Sequence, residues 1–342
     1  MKLVEPSRIE VKSLLASYRG ARWSASLLQL ALTLTSFVAL WIAMWWTQNL
    51  GYACTLLLAV PTAGLAMRLF ILQHDCGHGS FFASPRANRL TGLLLSGITL
   101  TPYQCWRRQH AAHHATNGQL DHRGIGDITT LTVAEYGKLS RWRRFGYRLY
   151  RNPLVLFGLG PIVHFSLLQR FTGRLPKSWT RERRSVRRLN VALAVVYALL
   201  AWLVGPWTFL KIHVPVIALA ASAGAWLFYI QHQFDPAYWA HDDHWEFDVA
   251  AHRGSSFLDL PWPLRWFTAN IGYHHIHHLD SRIPNYALPR CHDADPRLWT
   301  APRLTLVSSL KCMHLKLWDE GAGRMVTFRA AGRAARQRLP QQ

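Results

Sequence analysis

The residues in this sequence best suited to chemistry are histidines, and they come in groups with a shared spacing. The decapeptide from Asn270 to Leu279 holds His274, His277 and His278 at i, i+3 and i+4. On a helix that spacing puts three imidazoles on one face, while His275, about 100° round, points elsewhere. His110, His113 and His114 repeat the pattern, and His74 and His78 form an i, i+4 pair. Each imidazole carries a ring-nitrogen lone pair that takes a proton or a metal, so co-facial triplets make poor packing and good ligand sets. A merely solvated surface would scatter its histidines without a common spacing.

His232, at the end of a long apolar run, completes nine candidate ligands: His74, His78, His110, His113, His114, His232, His274, His277 and His278. A transition ion takes about four to six ligands, so nine imidazoles suit two ions with room for oxygen or solvent. Calcium and magnesium want oxygen ligands, and a single zinc would leave imidazoles idle. Iron is the natural choice for oxygen chemistry, although the imidazole count leaves copper and zinc open. Of the 18 acidic residues, 13 lie in the stretches 75–135 and 235–295 that hold the three clusters. Asp75, Asp121, Asp127 and Asp280 are the candidates to hold the outer ring nitrogens of the ligands. Asn270, one turn before His274, could reach a metal directly or through water. His164 and His213 sit in apolar surroundings and read as hydrogen-bonded structural residues. Among the histidines in aqueous-looking sequence, His122 and His275 are the ones that could support the site.

A membrane scaffold has to position these groups. The chain has 342 residues and a formal charge of +21, yet half of it is hydrophobic and it holds 16 tryptophans. Long apolar runs with strong basicity indicate a multi-pass membrane protein with basic cytoplasmic parts. The charge alone would suit RNA or DNA, but no recognition motif accompanies it, so no nucleic-acid partner is expected. The five scattered cysteines form no Cys-x-x-Cys, which argues against a disulfide framework, a zinc ribbon and a built-in iron–sulfur cluster.

Apolar runs at 27–46, 52–72, 189–210 and 212–230 are long enough to span a bilayer. The first follows several basic residues and is expected to stay as a signal anchor. The positive-inside rule puts the N-terminus in the cytoplasm, and four spans return every histidine cluster to that side. Two shorter segments, about 90–103 and 153–168, are broken by Gly and Pro and read as interfacial. The expected fold is an all-α membrane protein: four transmembrane helices in two hairpins, with a cytoplasmic helical cap carrying the three histidine clusters. A single domain over 1–320 should be followed by a basic tail, 321–342, either a surface helix or disordered.

These residues resemble the membrane fatty-acid desaturase superfamily, which has three histidine boxes of these spacings. The stretches 74–82, 106–118, 231–234 (Gln-His-Gln-Phe), 254–256 (Gly-Ser-Ser) and 270–286, with Gly126-Asp127 and 131–136, are similar to bacterial acyl-lipid desaturases of the Bacillus Δ5 type. The resemblance implies a non-haem di-iron centre, molecular oxygen as co-substrate, and a cis double bond introduced into the acyl chain of a membrane lipid. It implies an external electron donor of the ferredoxin or flavodoxin type, since no fused cytochrome b5 motif is present. A basic cytoplasmic face would suit an acidic donor and an anionic lipid surface alike. The location implied is the bacterial cytoplasmic membrane, with the active site and both termini on the cytoplasmic side. A hydroxylase or ketolase acting on an alkane, sterol or carotenoid is the rival on the same scaffold. A metal transporter would instead line a path through the bilayer with its ligands.

Overall fold

The computed structural model describes residues 8–337. α1 (Arg8–Ser17) precedes a hairpin of α2 (Trp23–Trp46) and α3 (Tyr52–His78), joined by a single tight turn. At 1.5 Å per residue, α2 reaches about 36 Å, enough to cross ~30 Å of hydrocarbon. Burial separates the two helices: 56% of the apolar window of α3 is covered, against 11% for the first span. α3 is therefore the central helix, packed against α2 and two later helices. It stays helical through Pro61 and ends at Gly79, whose φ of +76° forms a left-handed cap that disfavours a side chain.

α4 (Pro85–Thr99) begins with the Ser84 hydroxyl accepting from Ala87 N and with proline at its first position. α5 (Tyr103–Thr116) follows and carries the second histidine cluster. α6 (Val133–Lys138) opens with a Thr132–Glu135 capping box. Next come α7 (Arg141–Tyr150) and α8 (Gly160–Ser166). The segment expected to be interfacial at 153–168 is helical, and its run Val155–Arg170 is bent 59° from α7.

The second hairpin is α9 (Thr180–Val204) and α10 (Pro206–His232). The break falls at Gly205, with φ +86°, and Pro206, not at Lys211 as the hydropathy suggested. One lysine does not stop a helix, whereas glycine in a left-handed conformation followed by proline does. α9 also starts nine residues before the apolar run, because its Arg-rich stretch is itself a good helix former. These four long helices are the ones whose length and composition fit membrane spans.

The remaining chain folds beside the ends of α3 and α10. It contains α11 (Phe247–Arg253), α12 (Trp262–Phe267), α13 (His274–Leu279), α14 (Leu288–Asp293), α15 (Leu306–Cys312) and α16 (Phe328–Gln337). The all-α expectation needs amending here, because two small sheets are present. β1 (Leu131–Thr132), β4 (Leu317–Asp319) and β5 (Arg324–Val326) form one, in the order β1-β4-β5. β2 (Phe257–Asp259) pairs in parallel with β3 (Arg303–Thr305) in the other. The antiparallel β4–β5 pair lies either side of residue 320, and Met325 is fully buried. Arg151, wholly buried, ties this region to α10 by donating to Gln233 Oε1 at 3.0 Å, Tyr229 OH at 3.2 Å and the Leu315 carbonyl at 3.1 Å.

Candidate metal centre

α3 and α10 end at the same place, one delivering His74 and His78, the other His232. α5 and the six-residue α13 supply the other six histidines. A helix as short as α13 is not stable alone, and every residue of its two cluster turns is buried or nearly so, so tertiary packing holds it. All nine histidines selected from the sequence converge, in two groups: His74, His78, His110, His114 and His277, and His113, His232, His274 and His278. Within each group one nitrogen per ring lies within 4.8 Å of every other. Within α5 and α13 the i, i+4 pair stays together and the remaining histidine goes to the other group. In α5, His110 and His114 join the first group and His113 the second; in α13, His274 and His278 join the second and His277 the first. The groups abut, with His114 and His278 stacked at a centroid distance of 4.0 Å.

Hydrogen bonds on the outer nitrogens fix which atom bears the proton. His113 Nδ1 donates to Asp127 Oδ1, and His232 Nδ1 donates to the Gly254 carbonyl at 3.0 Å. A carbonyl and an ionised carboxylate only accept, so each Nε2 is left with a bare lone pair. These two Nε2 atoms lie 3.0 Å apart, and His274 Nε2 lies 3.0 Å from His232 Nε2. Facing lone pairs repel, and a cation between them makes the arrangement favourable. In the first group, His74 Nδ1 donates to Asp75 Oδ1 at 3.2 Å, and His114 Nε2 sits 3.1 Å from both His110 Nε2 and His277 Nε2. The Nε2 atoms of His78 and His278 are buried without a hydrogen-bond partner among the described residues. Burial first, and neighbouring imidazoles second, hold His110, His114, His274, His277 and His278 well below the ordinary value of 6.5. They are neutral at pH 7 and need shed no proton to bind a metal. This donor set fits a pair of transition ions and does not fit calcium or magnesium.

The four carboxylates selected from the sequence divide evenly. Asp127 and Asp75 touch cluster histidines, and Asp75 Oδ2 also accepts from Asn285 N at 3.0 Å and Asn285 Nδ2 at 2.8 Å. Asp121 and Asp280 turn to partners outside the nine-histidine cluster. Asp121 lies on an exposed loop, accepting from His241 Nδ1 at 2.8 Å and Asp242 N at 2.9 Å. Asp280 follows α13 but turns to Arg282 and to Arg19 Nε at 2.6 Å, clamping the end of α1. Asn270 takes φ +60°, a region asparagine tolerates, and donates to the Asn285 carbonyl at 3.0 Å. Its amide thus braces the loop that holds Asp75.

Among the other histidines, His275 faces away from the cluster, as the helical wheel requires, toward His252, Phe257 and His292. His213 stacks on Phe209, and His164 contacts Gln169, both structural surroundings. His122 pairs with Asp242 on the surface. Sequence reasoning missed the Gly254 carbonyl, Asn285, and Trp106, which stacks on His110 at 4.6 Å and 17°. Gly77 makes room for that indole, since a Cβ there would lie 2.7 Å from the Trp106 ring.

A family model described as Fatty acid desaturase matches residues 50–308. The chain belongs to the fatty acid desaturase family. It is 41% identical over 315 residues to a Fatty acid desaturase of Bacillus subtilis (strain 168), covering 92% of this chain and 89% of that protein. A Synechocystis protein named sn-1 acyl-lipid omega-3 desaturase (ferredoxin) is 31% identical over 235 residues, or 66% of this chain and 63% of the relative. An Arabidopsis thaliana protein named Acyl-lipid omega-3 desaturase (cytochrome b5), endoplasmic reticulum, is 27% identical over 272 residues, or 76% of this chain and 66% of the relative. This desaturase is accordingly an oxidoreductase acting on fatty acids, with four helices that fit a multi-pass membrane protein.

Proposed function

We propose that the chain uses molecular oxygen and two non-haem iron ions, held by its nine clustered histidines, to put a cis double bond into an acyl chain of a membrane lipid. The observation that carries this reading is the inward set of Nε2 lone pairs, forced by Asp127 on His113 and by the Gly254 carbonyl on His232. Bound iron would activate the oxygen, which takes two hydrogens from unactivated methylenes and two electrons from the donor and leaves as two waters. The protein's own contribution is positional. α3 and α10 fix three of the rings, α5 and α13 fix six, and the outer hydrogen bonds hold ring orientation. Burial of the rings keeps bulk water from the centre. Placement of one carbon pair beside the ions then decides the product.

In this reading the two hairpins stand in the bacterial cytoplasmic membrane, with the elements around the centre forming a cytoplasmic cap and both termini on that side. The basic stretch of α7 and the basic start of α9 support that orientation. Electrons come from an external ferredoxin or flavodoxin, and the donors named for the Synechocystis and Arabidopsis relatives support a separate carrier. The basic face also meets an anionic lipid surface. Expression in a host lacking unsaturated acids, followed by mass spectrometry of its lipids, tests the proposal. A new cis alkene is expected. A hydroxylated chain with no alkene would move the reading to hydroxylase chemistry.

A further inference from the structure

A groove of about 620 Å³ lies between α4, α5 and α9, apart from the histidine centre. Its α9 wall is one helix face that begins with Arg181, Arg184 and Arg188 and passes into Leu189 and Ala192. α4 repeats the gradient with Arg89 and Leu93. All four arginines are exposed, and among the described residues no ion pair engages them. Glu182, the acid within this stretch, is buried and turned away to Arg108 at 3.2 Å. Past the groove, α9 exposes Val191, Val195 and Leu199, and α4 exposes Leu94, so the apolar floor runs on into surface of the kind lipid covers.

An ordinary solvated basic face needs neither a concavity nor an apolar floor. We propose that this groove binds an anionic glycerophospholipid, with its phosphodiester on Arg89, Arg184 and Arg188 and an acyl chain along Leu93, Leu189 and Ala192. Guanidinium forks match phosphate oxygens two at a time, and the basic end of α9 meets the headgroup layer where its apolar run starts. An acidic protein partner would match the charge but leave the floor unused. The site narrows the anionic lipid surface of the proposed function to one place and rests on the membrane orientation given there. Gln104 of α5 also lines the groove, so an occupying lipid would brace the helix that carries His110, His113 and His114.

The test is the amount of phosphatidylglycerol bound by full-length protein in vesicles of phosphatidylglycerol and phosphatidylcholine, extracted gently and read by native mass spectrometry. Arg89→Gln/Arg184→Gln/Arg188→Gln should lower bound phosphatidylglycerol about tenfold relative to wild type. The charge-matched Arg141→Gln/Arg143→Gln/Arg329→Gln should leave it unchanged. Ala192→Trp, which fills the floor and keeps every charge, should also lower it. Equal loss in both triple variants would mean diffuse attraction and overturn the site, as would full retention in Ala192→Trp. Unchanged lipid in the groove variant with lost binding of a reduced ferredoxin would assign the groove to the donor instead. Because lipid content is the readout, a chain that bound lipid this way yet made no alkene would refute the activity and not the groove.

Discussion

Asp75 and Asp127 on one side, and Asp121 and Asp280 on the other, are alike in sequence and differ in what they touch, which makes Asp127 the informative residue to change. Its carboxylate accepts from His113 Nδ1, and the pair is largely enclosed, with side chains 14% and 2% exposed. Asp127→Ala leaves that N–H unpartnered and frees the ring to turn, so Nε2 no longer faces the second group. Losing such an orienting partner typically costs ten- to a hundredfold in metal affinity, about 1.4–2.8 kcal/mol. Asp121→Ala removes a carboxylate of the same charge whose partner, His241, lies on an exposed loop, and it should change metal affinity little. Purified iron-loaded variants dialysed against graded chelator, with retained iron read by mass spectrometry, measure the difference. Asp127→Ala should release one ion at roughly ten- to a hundredfold lower chelator strength while the other stays. Equal retention in the two variants would refute the argument that Asp127 fixes the His113 tautomer.

Other consequences follow from the same geometry. His232→Ala removes one of the four rings of the second group, and iron content should fall from two ions per chain toward one. His110→Ala and His277→Ala should abolish the alkene product while membrane insertion, followed by fractionation and immunoblotting, persists. Gly77→Val drives a methyl-bearing carbon into Trp106 and should cost about 1–3 kcal/mol in thermal unfolding, whereas Gly97→Ala, with open space at its Cβ, should be nearly silent. The imidazole values are depressed in the folded protein, so the unfolded chain takes up protons first as pH falls through 6.5. Stability of the metal-free protein, and iron retention by the loaded protein, should therefore be level above neutrality and decline below 6.5, as chemical unfolding and metal analysis across pH would record.

The convergence of the nine histidines was legible in the sequence because helical periodicity turns spacing into a shared face. The partition into two groups was not, since it depends on how α5 and α13 cross and on His232 arriving from a separate helix. Nearness in sequence did not separate the carboxylates that reach the clustered imidazoles from those that do not: Asp280 lies two residues from His278 yet binds Arg19, while Asp75 is held by Asn285 at a separation of 210 residues. The turn at Gly205 escapes hydropathy, which is interrupted only at Lys211, because glycine and proline sit inside a continuous apolar run. Strands of two or three residues have no period to detect, which is why the two small sheets were invisible.

Anomalous X-ray scattering at the iron edge, from crystals of the iron-loaded protein, tests the central claim most directly. Two peaks are predicted, one ringed by His74, His78, His110, His114 and His277, the other by His113, His232, His274 and His278. A single peak, or iron lying away from these rings, would contradict it.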